Sequence, residues 1–292
     1  MVKIKGNEQN KLSVYTHHGI ILTQKGSQSV GDCPFCDKEE KFYVSNKKGM
    51  YDCKVCGSSG NTYTFLTEIS KLCRDQTSEK DYKDFAKKRS IHPNVLKRNN
   101  LAYDSVTERW LIPVLNREGN IVNLMTYDES LKKGKTRSTP TCARHLYLAN
   151  KIADSGPIYV CEGEWDALAL ESLLDKAGVT SASVVAVPGA ETFKKEWIGL
   201  FDKREVVLLY DNDSSGQDGK QKVIDTLADK AKSIRSLVWP SNTPDKYDIS
   251  DLVRDNGLTK KTWTRLLDMV QDETGRPSKP KIQRTSFRSV LK

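Results

Sequence analysis

Two acidic clusters, Glu162-Gly163-Glu164-Trp165-Asp166 and Asp211-Asn212-Asp213, each follow a short apolar run. The runs are Pro157-Ile158-Tyr159-Val160-Cys161 and Glu205-Val206-Val207-Leu208-Leu209-Tyr210. Runs of this kind read as buried strands of a parallel sheet, and ligand sites in open α/β sheets form beyond the carboxyl ends of the strands. Acids crowded there repel one another unless a cation lies among them, and an all-oxygen donor set suits Mg²⁺ or Mn²⁺. Glu162, Asp211 and Asp213 are therefore expected to hold a divalent ion of the kind that serves phosphoryl transfer. Asp248 and Asp251 follow the last apolar run and can join the cluster, although Asp248 equally suits a helix N-cap. Asp166 lies one helical turn beyond Glu162, where it either joins the site or faces solvent.

A second chemistry is carried by cysteine. Cys33-Pro34-Phe35-Cys36 and Cys53-Lys54-Val55-Cys56 are two C-x-x-C knuckles with sixteen residues between them. That spacing predicts a zinc ribbon, in which a hairpin brings two pairs of thiolates to one tetrahedral structural Zn²⁺. Lys41–Ser45 reads as one strand of the hairpin, Asn46–Gly49 as its turn and Met50–Asp52 as the return. Phe35, Tyr43 and Tyr51 stand among lysines that include Lys41, a mixture suited to unstacked bases and phosphates, with at least one ring expected to fill the small core instead. With four thiolates available, His17 and His18 are read as ordinary surface histidines.

The elements that must position these groups follow from the apolar periodicity. Strand 157–161, helix 164–176, strand 183–187, a helix near 191–200, strand 205–210, helix 217–232 and strand 234–239 alternate as βαβαβαβ, which predicts a mainly parallel sheet with right-handed crossovers. Before it, Trp110–Leu115 and Ile121–Tyr127 form a hairpin, followed by a flexible cationic loop, Lys132–Ser138. Arg109, Lys135 and Arg137 are the candidate phosphate contacts there. The run Gly216-Gln217-Asp218-Gly219-Lys220 is not a phosphate loop, because the four-residue gap and the Ser/Thr after Lys are missing. No nucleoside-triphosphatase loop is therefore expected anywhere in the chain.

Charge is distributed unevenly along the 292 residues, whose formal net charge is +9. Residues 152–256 carry a net −7, while 1–75, 76–151 and 257–292 carry +3, +7 and +6. Basic surfaces around an acidic metal site suit a polyanionic substrate. Seven cysteines, an odd number and mostly paired at zinc spacing, argue against a secreted disulfide framework. No signal peptide and no run long enough to span a bilayer is visible, so a cytoplasmic location without a membrane partner is expected.

Taken together, these residues resemble the bacterial and phage primase family, with its zinc ribbon, basic subdomain and toprim (topoisomerase–primase) domain. Glu162-Gly163 and Asp211-Asn212-Asp213 fit the toprim signature, Asp166 fits the acid four residues on, and Asp248-Ile249-Ser250-Asp251 fits a further acidic motif less tightly. Trp110–Pro113 and Lys135–Ser138 resemble segments of the basic subdomain. Many bacterial members use Cys-His-Cys-Cys for zinc. The four cysteines here and the short length suggest a phage or mobile-element version, either stand-alone or ending before a helicase.

The resemblance implies a multidomain chain: a β zinc ribbon (1–74), a small basic α+β subdomain (91–155), an α/β toprim domain with a mainly parallel sheet (156–256) and a C-terminal helix (257–273); by composition the polar, charge-rich residues 75–90 read as a linker, in which Tyr82 and Phe85 can begin a helix, and 274–292 as a disordered basic tail. It further implies Mg²⁺-dependent RNA primer synthesis on a single-stranded DNA template from ribonucleoside triphosphates, with a replicative helicase as partner, in the host cytoplasm if phage-encoded. Glu162, Asp166, Asp211, Asp213, Asp248 and Asp251 are the implied catalytic acids. Two other readings remain open at this point: a toprim nuclease or topoisomerase-like enzyme, and a non-catalytic recombination mediator.

Overall fold

A computed structural model describes residues 6–273. The expectation of a disordered tail at 274–292 falls outside the described residues. Helix α1 (Gly6–His17) leads into a five-stranded antiparallel sheet: β1 (Thr23–Lys25), β2 (Gln28–Gly31), β3 (Phe42–Ser45), β4 (Tyr51–Cys53) and β5 (Ser59–Gly60). The expected hairpin is its β3–β4 pair, with Phe42 opposite Cys53. Helix α2 (Thr62–Gln76), capped by Asn61, closes this unit by burying Phe65, Leu66 and Ile69.

Residues 75–90 are not a linker. Helix α3 (Glu79–Arg89) occupies most of them, opened by a Ser78–Asp81 capping box and ended by Ser90 in the left-handed conformation. Tyr82, Phe85 and Ala86 are buried, so an apolar stripe at helical spacing outweighs the polar composition that suggested a linker. After α4 (Pro93–Arg98) comes a four-stranded antiparallel sheet of β6 (Ala102–Asp104), β7 (Arg109–Leu115), β8 (Ile121–Tyr127) and β9 (Thr136–Arg137). Part of the expected flexible loop is thus a strand, with Thr136 and Arg137 paired to Tyr127 and Thr126. Successive residues of β7 face opposite ways. Leu111 joins the ribbon core with Phe42, Tyr51 and Phe65, whereas Trp110, Ile112 and Val114 join the core that continues into the C-terminal half.

The histidines are not on the surface. His18 is 3% exposed and its Nε2 lies 2.9 Å from Thr139 Oγ1, while His17 Nε2 lies 3.2 Å from Thr126 Oγ1. They close the seam between α1 and the middle sheet.

The C-terminal half is the predicted α/β unit. Its sheet comprises β10 (Ile158–Cys161), β11 (Ser183–Ala186), β12 (Glu205–Leu209), β13 (Ser233–Leu237) and, at the edge, β14 (Val270–Asp272), in the order β11-β10-β12-β13-β14. The first four are parallel and β14 is antiparallel. Helices α5 (Glu164–Ala177), α6 (Ser214–Leu227), α7 (Ile249–Asn256) and α8 (Lys260–Asp268) complete it, with a 3₁₀ segment at Lys195–Phe201 in place of the expected helix at 191–200. The expected C-terminal helix over 257–273 is shorter, because its last residues form β14 and Glu273 is drawn in to accept a hydrogen bond from buried Ser236 Oγ at 2.6 Å. Among the described residues no helix is long and apolar enough to cross a membrane.

Candidate active site and metal centre

The ribbon brings its four cysteines together. Cys33 Sγ lies 3.8 Å from Cys56 Sγ, Cys36 Sγ lies 3.7 Å from Cys53 Sγ, and all four sulfurs lie within 4.8 Å of one another. A tetrahedral ion with bonds of about 2.3 Å requires sulfur–sulfur separations of about 3.8 Å. The donor set therefore fits zinc in both chemistry and spacing.

The ribbon's aromatics divide. Tyr51 is buried, 2% exposed, with its hydroxyl donating to Glu68 Oε2 at 2.6 Å; it belongs to the core and is withdrawn as a nucleic-acid contact. Phe35 is half-buried, its ring centroid 6.1 Å from those of Tyr51 and Phe65. Tyr43 stays partly open with Lys54 Nζ 5.9 Å from its ring centre, and Lys41 is exposed beside it.

At the parallel sheet, register positions the acids. Cys161 pairs with Leu209, so Glu162 leaves β10 level with Tyr210, one residue before Asp211 leaves β12. Glu162 Oε2 accepts the Asp211 backbone N–H at 3.3 Å. The chain at Gly216 must pass close to both: a Cβ there would lie 2.5 Å from the Asp211 carbonyl oxygen and 3.0 Å from Glu162 Oε2. Asp213 caps α6, accepting from Gly216 N at 2.7 Å. Asp248 caps α7, accepting from Asp251 N at 2.6 Å. Two backbone bonds between Asn212 and the turn at Lys246 and Tyr247 bring that cap beside Asp211. Asp166 does not face solvent: it is 7% exposed and accepts from Ser250 N at 3.0 Å and Ser250 Oγ at 2.8 Å, tying α5 to α7. Asp251 is instead engaged by Arg254 at 2.5 Å. The run Gly216–Lys220, rejected above as a phosphate loop, lies within α6, and Gly219 packs where a Cβ would meet the Ala190 carbonyl oxygen at 2.3 Å.

Glu162, Asp166, Asp211 and Asp248 hold protons more tightly than ordinary carboxylates. Burial, then the charges of Asp166, Glu162, Asp248 and Asp213, push Asp211 up to about 9. Burial and then Asp166 push Asp248 to about 7. Burial raises Asp166 to about 6 against the opposing Ser250 bonds, and burial raises Glu162 against the Asp211 amide. The common cause is negative charge gathered in a poorly solvated place without enough positive charge to balance it. A divalent cation would supply that balance, so the donor set fits Mg²⁺ or Mn²⁺. Among the described residues only the cysteines gather three or more ligand atoms within 4.8 Å. The looser carboxylate spacing suits an ion that keeps several waters and shares its shell with phosphates.

A cavity of about 280 Å³ opens between the middle sheet and these strand ends, lined among others by Asn123, Thr136, Arg144, Glu162, Glu164 and Gly189. Arg144 and Glu164 were not singled out from sequence. Glu164 is 8% exposed, and burial pushes it up to about 7, opposed by Arg144. The predicted phosphate contacts lie on the middle sheet. Arg109 Nη2 donates to the His17 carbonyl at 2.8 Å, Arg137 is exposed with Nε donating to the Gly134 carbonyl at 3.2 Å, and Lys135 is half-exposed. The charges of Arg109 and Arg137 both lower His17 and Asp128, so the two share one neighbourhood.

Comparison with known proteins agrees with this division. The CHC2 zinc finger model matches residues 6–96 and the Toprim-like model matches residues 159–253. A DNA primase of Lactococcus lactis is 23% identical over 84% of this chain, and the aligned part is 52% of that relative. A DNA primase of Rickettsia prowazekii is 28% identical over 45% of this chain and 19% of its own length. The chain thus spans about half, or less, of the curated relatives it matches. The zinc-binding and RNA polymerase domains of the Aquifex aeolicus primase superpose with a TM-score of 0.55 at 19% identity, covering 90% of this chain and 83% of that one. A primase catalytic domain solved bound to single-stranded DNA superposes with a TM-score of 0.56 at 18% identity, covering 72% and 78%. At that identity the likeness speaks for the fold.

Proposed function

Starting from a chain of the bacterial and phage primase family, we propose that it joins ribonucleotides into short primers on a single-stranded DNA template. The observation that carries this reading is the convergence of Glu162, Asp211 and Asp248 at one end of a parallel sheet, with Asp211 pushed up to about 9 for want of a cation. Glu162 and Asp211, with Asp213 or Asp248, are the residues that would hold Mg²⁺. Bound there, the ion would supply charge neutralisation at the phosphates and a more acidic primer hydroxyl. In the reaction the primer 3′-oxygen bonds to the α-phosphorus of the incoming triphosphate, its proton leaves to a base, and the bond to pyrophosphate breaks. Gly216, carrying no side chain, lets α6 start against the Asp211 backbone and Glu162 Oε2. Arg109, Lys135 and Arg137 line the path for the template, and Tyr43 with Lys41 and Lys54 forms the ribbon face that would read the start site. A replicative helicase is the proposed protein partner.

The test is a priming assay with single-stranded DNA and labelled ribonucleotides. Wild type is expected to make oligoribonucleotides, Asp211→Ala to make no dinucleotide, and Cys53→Ser to lose mainly template-dependent initiation. Cleaved DNA in place of new RNA would establish the nuclease alternative. DNA binding without either product, unaffected by Asp211→Ala, would establish the recombination-mediator alternative.

A further inference from the structure

A second cavity, of about 440 Å³, lies on the ribbon side of the molecule and takes no part in the site above. The end of α1, the first cysteine knuckle, α2 and the β6–β7 turn meet around it. Ile20 and Ile69 are buried in its floor, whereas Ile21 and Val106, 85% and 84% exposed, stand on its rim. Apolar side chains gathered at a groove mark a contact surface, as ones scattered singly do not.

The charge of the groove is of one sign. Asp32, Asp37, Glu39 and Asp104 line it, and among the described residues no Lys or Arg does. Asp32 accepts the Glu40 N–H at 2.9 Å, and Asp104 accepts the Val106 N–H at 3.0 Å. None of the four acids forms an ion pair among the described residues. This is an unneutralised acidic groove in a chain whose net charge is +9. His18, 3% exposed, belongs to the same wall. Thr139 Oγ1 donates to the Leu124 carbonyl at 2.5 Å and therefore accepts from His18 Nε2, so Nδ1 is left a buried acceptor with no donor. Such a surface suits a segment that brings both apolar side chains and cationic N–H donors, and it repels nucleic acid.

The chain itself contains that segment. Residues 274–292 carry six Lys or Arg and no acid, with Ile282, Phe287, Val290 and Leu291 spaced among them. Lys and Arg lay their apolar stems along apolar surface and keep the charge at the rim. Glu273, where the segment begins, is held to β13 by Ser236. Nineteen extended residues reach about 60 Å, which exceeds the width of a compact chain of this length, whose radius of gyration is about 19 Å. Attachment to the same chain makes the encounter intramolecular, so contacts that are individually weak suffice.

We propose that the basic segment 274–292 docks in the acidic groove between the ribbon and the β6–β7 turn of its own chain, and so ties the last strand of the α/β unit to the ribbon. The inference does not depend on the chemistry at the acidic strand ends.

Photocrosslinking of the full chain tests it. A benzophenone amino acid in place of Val106, an exposed position, is expected to join residues within 276–292 of the same chain, read by mass spectrometry of the monomer band. Combining Asp32→Asn, Asp37→Asn and Glu39→Gln should lower that yield about threefold or more, and about 0.5 M salt should do the same, since both remove exposed-charge attraction. Phe287→Ser should lower it by removing an apolar anchor. Circular dichroism checks that each variant folds, and Ile21 serves as the crosslinking position should the change at Val106 disturb the turn. A product that joins two chains overturns the inference and assigns the groove to a second copy. Absence of any product within 276–292 overturns it, as does a yield indifferent to both the acid substitutions and salt.

Discussion

The same physical cause, burial, acts oppositely on acids and on histidines in this protein. It holds protons on Asp211 and Asp248 and strips them from His17, whose pKa falls to about 4 under burial and the charges of Arg109 and Arg137. His18 is driven well below its ordinary range by burial, then by His17 and Arg109. A histidine depressed in the folded state contributes stability that is intact above the unfolded value, near 6.5, and is lost as pH falls toward the folded one. The seam's own contribution to stability should therefore decline between pH 6.5 and about 4, because the unfolded chain takes up protons that the folded seam refuses, while the acids held above their ordinary range act in the opposite sense over the same window. His17→Gln, which can keep a bond to Thr126, should flatten that decline when midpoints are measured at pH 7.5, 5.5 and 4.5. An unchanged slope would mean that the seam does not sense protons. Neither histidine announced this role in sequence. A His-His pair at the end of an amphipathically weak segment carries no sign of the two threonines, Thr126 and Thr139, that meet it more than a hundred residues later.

At the scale of elements, the strands and their acids were legible, whereas helix α3 showed only as Tyr82 and Phe85 within a stretch read as a linker. The strand ends at Cys161 and Leu209 could be read because an apolar run closing on acids is local information. Their adjacency also follows from a parallel sheet with short crossovers. Residues 75–90 misled because eleven residues, EKDYKDFAKKR, are dominated by charge, yet Ser78 and Asp81 form a capping box and Tyr82, Phe85 and Ala86 repeat at helical spacing. Phe85 stacks on Trp110 with ring centres 4.2 Å apart and planes 16° apart. Phe85→Ala should cost about 3–5 kcal/mol in chemical denaturation, the range for a buried phenylalanine. Phe85→Leu should cost much less. Phe85 also meets the rings of Tyr127 and of Trp165, one residue before Asp166, so the alanine variant should weaken nucleotide binding as well. A full loss of stability with nucleotide binding untouched would separate the helix from the site.

Across the whole molecule, the middle sheet is the member on which both ends depend. Strand β7 reads Arg109-Trp110-Leu111-Ile112-Pro113-Val114-Leu115, apolar on successive positions, because each face has its own cover. Leu111, with Ala102 and Leu124 of the neighbouring strands, is sealed by the ribbon's Phe42, Phe65 and Leu66, while Trp110, Ile112 and Val114 pack toward α3 and the α/β unit. A zinc ion held by the four cysteines would therefore stabilise more than the ribbon. A ribbon of this size has little core of its own, so removing its ion should unfold it, and Leu111 and Leu124, each 0% exposed, would then face water. Each fully buried leucine so exposed forfeits roughly 1.5–3 kcal/mol. Chelation should accordingly accelerate amide exchange in β3 and β4 and also in β7 and β8, while β10 and β12, enclosed by their own helices, stay protected. If exchange quickened in the ribbon alone, the seam would be a contact between independent domains. Quickening carried into β7 and β8 would instead make the ribbon and the middle sheet parts of one cooperative assembly.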